Sequence, residues 1–488
     1  MAFNSKKISY RPIITIIGFL LMTEAIFMAC GIPFSIYYGE EVRALAYSAI
    51  ITFFTGLFCW LPHRRLNEDL GKKEGLLIVT LSWVIVSVFG MLPYLFALKM
   101  NVTDAFFESM SGFTSTGSTI LTKLEDVPRG ILFWRSMTQW MGGMGIIVLT
   151  LAILPMLGIA GFQLFAAEFP GPNKNKLHPK IAATAKRLWV IYLFFTALCF
   201  LLLRMGDMNS FQALCHSLTT ISTGGFSTET ANLKNFSSYS HYVVSVFMII
   251  GGINFTIIYL FAKRMFRKIL DYHEFWVYLG VIAVATLVIT GLHYHHHYYS
   301  DISFEGSFRE GFFYAVSIIT TAGFVSTDYT LWAGYLTMII FLLMFVGGMA
   351  GSTSGGIKVI RQCLLIKNSY LELKRRIHPN AVVPLTFSKK IVDNEMLYKV
   401  MAFFILYTII SFLFILLMSF MGLDFENSIS VVIASIGNIG LGIGKFGPAG
   451  GFSILPDAGK WMVTFLMLLG RLELFTVLAL FTPTFWKS

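Results

Sequence analysis

The chain has 488 residues, of which 56% are hydrophobic and only 13% charged. Soluble domains carry about 25% charged residues, so this composition cannot clothe a water-facing surface, which excludes a cytosolic enzyme, a disordered chain and a nucleic-acid binder. The net charge of +11 then reads as the basic cytoplasmic side of a membrane protein.

A spanning helix takes about 20 apolar residues. Ten stretches approach that length, at residues 13–32, 43–61, 75–98, 131–157, 188–203, 242–261, 275–292, 331–346, 399–420 and 461–481. The first follows a short basic start, as a signal peptide would. It lacks a small-residue cleavage site and is long enough to span, so a retained helix is expected. If the N-terminus is cytoplasmic and ten helices alternate, the cytoplasmic segments collect most of the 37 basic residues, among them Lys6, Lys7, Arg64, Arg65, Lys263, Arg264, Lys374 and Arg375. That bias predicts cytoplasmic N- and C-termini. The five cysteines stand apart, with no CxxC spacing, and read as small apolar packing residues.

The outside connections after spans three, five, seven and nine share one layout. Each has a short amphipathic stretch, then a Ser/Thr/Gly-rich stretch, then a polar tail. The stretches lie at residues 104–119, 209–228, 307–327 and 428–444. Their apolar parts are too short to span and suit a half-helix that enters the membrane and returns as extended backbone. The following span echoes each one with glycines: Gly142 and Gly143, Gly251 and Gly252, Gly347 and Gly348, and Gly470 beside Arg471. The chain therefore divides into a two-helix unit (1–74) and four parallel helix–loop–helix repeats (75–180, 181–271, 272–393 and 394–488), about 100 residues each. The expected fold is an all-α integral membrane protein with a pseudo-fourfold pore.

Polar backbone at membrane depth is tolerated where it lines water or is buried in protein. The four core sequences centre on Ser115-Thr116-Gly117, Ser222-Thr223-Gly224, Thr321-Ala322-Gly323 and Asn438-Ile439-Gly440. In each, a small or hydrogen-bonding residue is followed by a glycine two positions on. Four such segments can point carbonyl oxygens at one axis and replace the water shell of a dehydrated cation. The half-helix before each directs its partly negative C-terminal end to the same place. No ring of carboxylates is present, which argues against a divalent-cation pore.

The tracts SGFTSTGST (111–119), STGGFST (222–228), TTAGF (320–324), WRSMTQWMGGMGI (134–146), GGMAGSTSGGIK (347–358) and GRLELFTVLALFTP (470–483) resemble the Trk/Ktr/HKT potassium transporter superfamily. Within it, the chain is similar to the bacterial Trk-type membrane subunits over essentially its whole length. The resemblance implies potassium uptake across the bacterial inner membrane by a homodimer with a channel-like, pseudo-fourfold pore. No covalent cofactor is implied, and potassium is the ion bound. The implied filter residues are Ser115, Thr116, Gly117, Ser222, Thr223, Gly224, Thr320, Thr321, Ala322, Gly323, Gly437, Asn438, Ile439 and Gly440. The second glycine of the potassium-channel TVGYG signature is missing from three of the four segments, so fewer ion sites are expected than in a potassium channel. The implied cytosolic partner is a nucleotide-binding ring protein of the TrkA type, which the basic segments after Gly356 would dock. Surrounding lipid is the other expected partner, and no nucleic acid is.

Residues 331–346 are too short to span a roughly 30 Å hydrocarbon core, and the glycine-rich run that follows is still at membrane depth. An intramembrane gate loop is expected there, built on Gly347, Gly348, Gly351, Ser352, Thr353, Gly355, Gly356 and Lys358. The resemblance implies that it obstructs the path until it moves. Arg471 sits near the middle of the last apolar run, where an ionised residue faces a cavity or a partner. It is expected to donate to loop carbonyls and pin the gate, with its pairing to Glu473 left open. Glu108 and Glu310 are read as charges at the mouth, and the tract from His293 to His297 as a solvated outside loop. A sodium- or proton-coupled symporter is the alternative, but sodium-coupled folds with broken helices use inverted repeats. A membrane enzyme would need clustered carboxylates or histidines, and none is found.

Overall fold

The structure, a computed structural model, describes residues 8–63, 71–145, 181–296, 303–379, 383–388 and 390–486. The basic residues Lys6, Lys7, Arg64 and Arg65, the span beyond Gly145 and His297 lie outside the described residues.

Among the described residues, six helices are long and apolar enough to cross a membrane: Tyr10–Tyr37, Arg43–Trp60, Lys73–Leu98, Lys186–Met205, His273–His296 and Asn394–Phe420. The first and second pack closely. A Cβ on Gly18 would lie 2.6 Å from the Gly56 carbonyl, and one on Gly56 equally near that of Gly18. Helix backbones touch at this crossing because neither residue has a side chain.

Two expected straight spans are bent. Ser238–Gly252 turns by 103° into Phe255–Ala262, and Asp457–Arg471 turns by 109° into Phe475–Phe481. The first break follows from Asn254, whose side chain accepts from the Thr256 N–H and starts a new helix. The second follows from Glu473 and Leu474, both at positive φ. Of the other two expected spans, 331–346 shrinks to the ten-residue helix Gly334–Leu343. The one at 131–157 begins as Arg129–Trp140, then widens to a π-turn at Met141–Gly145. Glu40 caps its start, accepting from the backbone N–H of Arg129 at 2.6 Å and of Gly130 at 3.1 Å.

Four short helices hold the predicted re-entrant stretches: Val102–Phe113, Ser210–Ile221, Phe304–Ile319 and Phe425–Ile436. Each begins on a side-chain cap, Asn101, Asn209, Ser303 or Asp424, that accepts from the backbone N–H three residues on. Twelve residues, the length of three of them, rise about 18 Å, half a bilayer. Among the described residues the departure from an all-helical chain is one small hairpin, Thr386–Phe387 against Lys390–Ile391.

Candidate functional site

All four short helices end identically. Ser115, Thr223, Thr321 and Asn438 take left-handed φ of 50° to 56°. Each donates its N–H to the carbonyl three residues back, and the next residue donates five back: Thr116 to Ser111, Gly224 to Thr219, Ala322 to Ser317 and Ile439 to Ala434, all at 2.9 Å. This is a Schellman ending, a place where glycine is usual. Here every repeat uses a polar side chain instead. Ser222, Thr320 and Gly437 are the cap residues just before.

A glycine with positive φ follows two positions later: Gly117, Gly225, Gly323 and Gly440, at φ 87°, 79°, 70° and 79°. The second repeat therefore runs through Gly225, one residue beyond the expected Gly224. The Schellman bonds fix this register, since the N–H of Thr223 occupies the place held by Ser115 in the first repeat.

The four segments meet in cyclic order. A Cβ on Gly117 would lie 2.2 Å from the Gly224 oxygen, and one on Gly225 2.1 Å from that of Ala322. One on Gly323 would lie 2.0 Å from the Ile439 oxygen, and one on Gly440 2.2 Å from that of Thr116. Each segment leans on the next, and the fourth returns to the first.

The glycine echoes do matching work in three repeats. A Cβ on Gly142, Gly251 or Gly470 would press on the carbonyl of Phe113, Ile221 or Ile436, at 1.8, 2.9 and 2.1 Å. In each case that carbonyl belongs to the last residue of the short helix. The third repeat differs because its helix ends at Leu343 and residues 344–358 form a loop.

That loop crosses to the ring. The N–H groups of Met349 and Thr353 donate to the carbonyls of Gly252 and Gly251, at 3.0 and 3.2 Å. The Thr353 hydroxyl is 3.2 Å from that of Thr223, and the Gly355 N–H donates to Thr321 Oγ1 at 2.7 Å. A Cβ on Gly355 would meet the Gly437 carbonyl at 2.7 Å. The loop thus touches the left-handed residues of the second and third repeats and abuts the fourth. Ser352 folds back on the Met349 carbonyl, and the Lys358 ammonium donates to the Ser354 carbonyl, both at 2.6 Å. Gly347, Gly351 and Gly356 hold positive φ, and a Cβ on Gly348 would strike Ser354.

Arg471 ends its helix. It donates to the Thr353 carbonyl at 2.7 Å, to the Gly143 carbonyl at 2.8 Å and to that of Gly142. It therefore ties the loop to the first repeat. Glu473 pairs with Arg361, the third residue of the Val359–Ile377 helix that leaves the loop.

Glu108 is not a solvated mouth charge. It is fully buried, accepts from the Arg135 guanidinium at 2.6 Å and also holds the Ile120 N–H at 3.1 Å. Arg135 donates onward to the Ser227 carbonyl at 2.9 Å and lies 3.5 Å over the Phe226 ring. Removing one partner of a buried pair costs about 3–5 kcal/mol. Arg135→Leu should lower the thermal stability of purified protein sharply, and adding Glu108→Gln should restore part of the loss. An unchanged melting temperature for Arg135→Leu would contradict this.

Glu310 is likewise buried, accepting from the hydroxyls of Ser326 and Thr327 at 2.6 and 2.9 Å. Outside the ring, the backbone and hydroxyl of Thr230 donate to Glu125 at 2.9 and 2.6 Å, and they hold its carboxyl below the usual range. Within the described residues of the histidine tract, His293–His296 form the last turn of a helix and not a loop. His293 is buried against Trp332 and Ser307, and no metal-holding cluster occurs among the described residues.

Sequence reasoning missed Gly225, Arg135 and Gln139. The last two stand four apart on one helix face inside a quoted tract, WRSMTQWMGGMGI, which is the signal that marks them.

Long apolar helices around four capped half-spans define a multi-pass membrane protein of the transport class. The chain belongs to the TrkH family of cation transport proteins, whose family model matches residues 42–488. It is 39% identical to the Trk system potassium uptake protein TrkH of Escherichia coli (strain K12), covering 98% of this chain and all of the relative. It is 34% identical to the TrkG protein of the same strain, over 98% and 99% of the two chains. The crystal structure of the potassium transporter TrkH from Vibrio parahaemolyticus superposes with a TM-score of 0.88 at 37% identity, over 98% of this chain and 100% of that one.

Proposed function

We propose that the chain takes up potassium across a bacterial inner membrane, through a pseudo-fourfold pore whose filter is the ring of Ser115–Gly117, Thr223–Gly225, Thr321–Gly323 and Asn438–Gly440. The observation that carries this reading is the cyclic contact, in which each glycine at positive φ meets the next repeat's carbonyl. Such an arrangement suits a cage of carbonyl oxygens for a dehydrated monovalent cation. The C-terminal ends of four helices converge on it and favour positive charge. Four parallel repeats around one axis favour this reading over a coupled symporter.

The loop from Gly347 to Lys358 is the gate beneath the filter, held shut through Thr353 and Gly355. Arg471 pins it and adds a positive barrier. The Val359–Ile377 helix, carrying Lys367, Lys374, Arg375 and Arg376, continues directly from the loop. It offers a cytosolic nucleotide-binding ring protein of the TrkA type a lever on the gate. The protein works as a homodimer with both termini cytoplasmic. A membrane potential supplies about 2.3 kcal/mol per charge per 100 mV, so inward potassium flow needs no fuel on this chain.

Expression in a bacterium stripped of its potassium uptake systems should restore growth on low potassium. Absence of rescue, with the protein correctly inserted, would overturn the reading.

A further inference from the structure

The filter ring is not equivalent at its four joints. Between the first and second repeats, the Gln139 side chain is laid along the backbone of the second segment. Its Nε2 donates to the Gly224 oxygen at 2.6 Å, and its Oε1 accepts from the Phe226 N–H at 3.0 Å. The acceptor role of Oε1 fixes which way the amide faces. The Ser115 hydroxyl donates to the Gln139 carbonyl at 3.2 Å, so the residue bridges the left-handed turn of one segment and the irregular backbone of the next. Gln139 has no exposed surface.

The same position is apolar elsewhere. Three residues before Gly251 and Gly470 stand Met248 and Met467, both buried. The segment residue in register with Gly224 also changes. It is Thr116, Ala322 and Ile439 in the other repeats, so only the second segment carries two glycines in succession. A Cβ on Gly224 would lie 2.4 Å from the Gln139 amide carbon. The missing side chain and the glutamine are one fitted pair.

Consecutive glycines make the second segment the most deformable quarter of the ring. An amide that donates on one side of Gly225 and accepts on the other restrains the carbonyls there. It also takes part of the lone-pair capacity of Gly224 O, and among the described residues no side chain donates to the corresponding oxygens of Thr116, Ala322 and Ile439.

We infer that Gln139 is a specificity-positioning residue. It holds the second segment open at the spacing that suits potassium and prevents its collapse around smaller sodium. This rests on the potassium-pore reading above. The Arg135 guanidinium continues the brace one turn away, through the Ser227 carbonyl and the Phe226 ring.

The test uses full-length protein in proteoliposomes, with potassium and sodium flux measured in the same preparation. Wild-type vesicles that pass neither ion would refute the pore reading and with it the inference that rests on it. Given wild-type potassium flux, Gln139→Met should lower the potassium-to-sodium flux ratio about fivefold, the worth of one neutral hydrogen bond. Gly224→Ala alone should impair assembly, because its methyl meets Gln139. The double variant Gln139→Met with Gly224→Ala introduces the residue types that Met248 and Ala322 hold at the corresponding positions, so it should assemble and show the same reduced ratio. A wild-type ratio in either protein that carries Gln139→Met overturns the inference. So does failure of the double variant to assemble, because the added methyl then has no Gln139 amide to meet.

Discussion

Gly440→Ser should abolish most potassium uptake, by about tenfold or more if the filter loses even 1.4 kcal/mol at the barrier. Two separate costs fall on the substitution. Gly440 holds φ +79°, and an L-residue in the left-handed region costs roughly 1–2 kcal/mol. The added Cβ would also stand 2.2 Å from the Thr116 oxygen and 2.7 Å from the Gly117 carbonyl carbon, so the fourth segment could not close on the first. Gly39→Ser separates the costs, because Gly39 shares a positive φ of 69° yet has nothing within 4 Å of its Cβ position. That variant should lose some stability and keep its uptake. Isotope flux into proteoliposomes, normalised to inserted protein, measures both. Uptake by Gly440→Ser equal to that of Gly39→Ser would remove the ring contact from the mechanism.

Arg471→Ala should raise flux through the resting protein. The guanidinium donates to the carbonyls of Thr353, Gly142 and Gly143, and hydrogen bonds to charged groups contribute about 1.5–3 kcal/mol each. Loss of one such bond shifts a closed-to-open balance by tenfold or more, on the order of one decade per 1.4 kcal/mol. The positive charge beside the proposed filter disappears at the same time, and both changes should favour cation passage. Arg471→Lys keeps the charge but lacks the planar fork that spans two elements, so it should fall between wild type and alanine. Flux measured without a regulatory partner isolates the gate. Unchanged or lower flux at normal protein levels would show that Arg471 does not hold the loop shut.

Much of the fold is legible in the residues. The Ser/Thr/Gly stretches mark the ends of the four short helices, and Asn209 marks one start, but the caps Asn101, Ser303 and Asp424 lie before the stretches read from the sequence. The register in the second repeat is not legible. In Ser222-Thr223-Gly224-Gly225 either glycine fits the pattern, and only the N–H to carbonyl bonds behind Thr223 decide. Hydropathy finds spans by composition and is blind to where a helix stops. It places Arg471 in mid-membrane within an unbroken run, yet the helix ends on that residue because Glu473 and Leu474 turn left-handed. Glu108 reads as a surface charge because its neutralising partner, Arg135, arrives from a different helix. Gln139 hides for the same reason, since its two hydrogen-bond partners belong to the next repeat.

The ring has a mechanical consequence. Four segments that each rest on the next form a closed linkage with no free end, so no single segment can shift without displacing two neighbours. The loop at residues 344–358 bonds to this linkage at two adjacent links, Thr223 and Thr321, and abuts a third at Gly437. If the loop withdraws on opening, as proposed, it releases one side of the frame first, where a symmetric gate would release all four links together. On that reading, a substitution that loosens the contact at Thr223 or Thr321 should change resting flux and ion discrimination together.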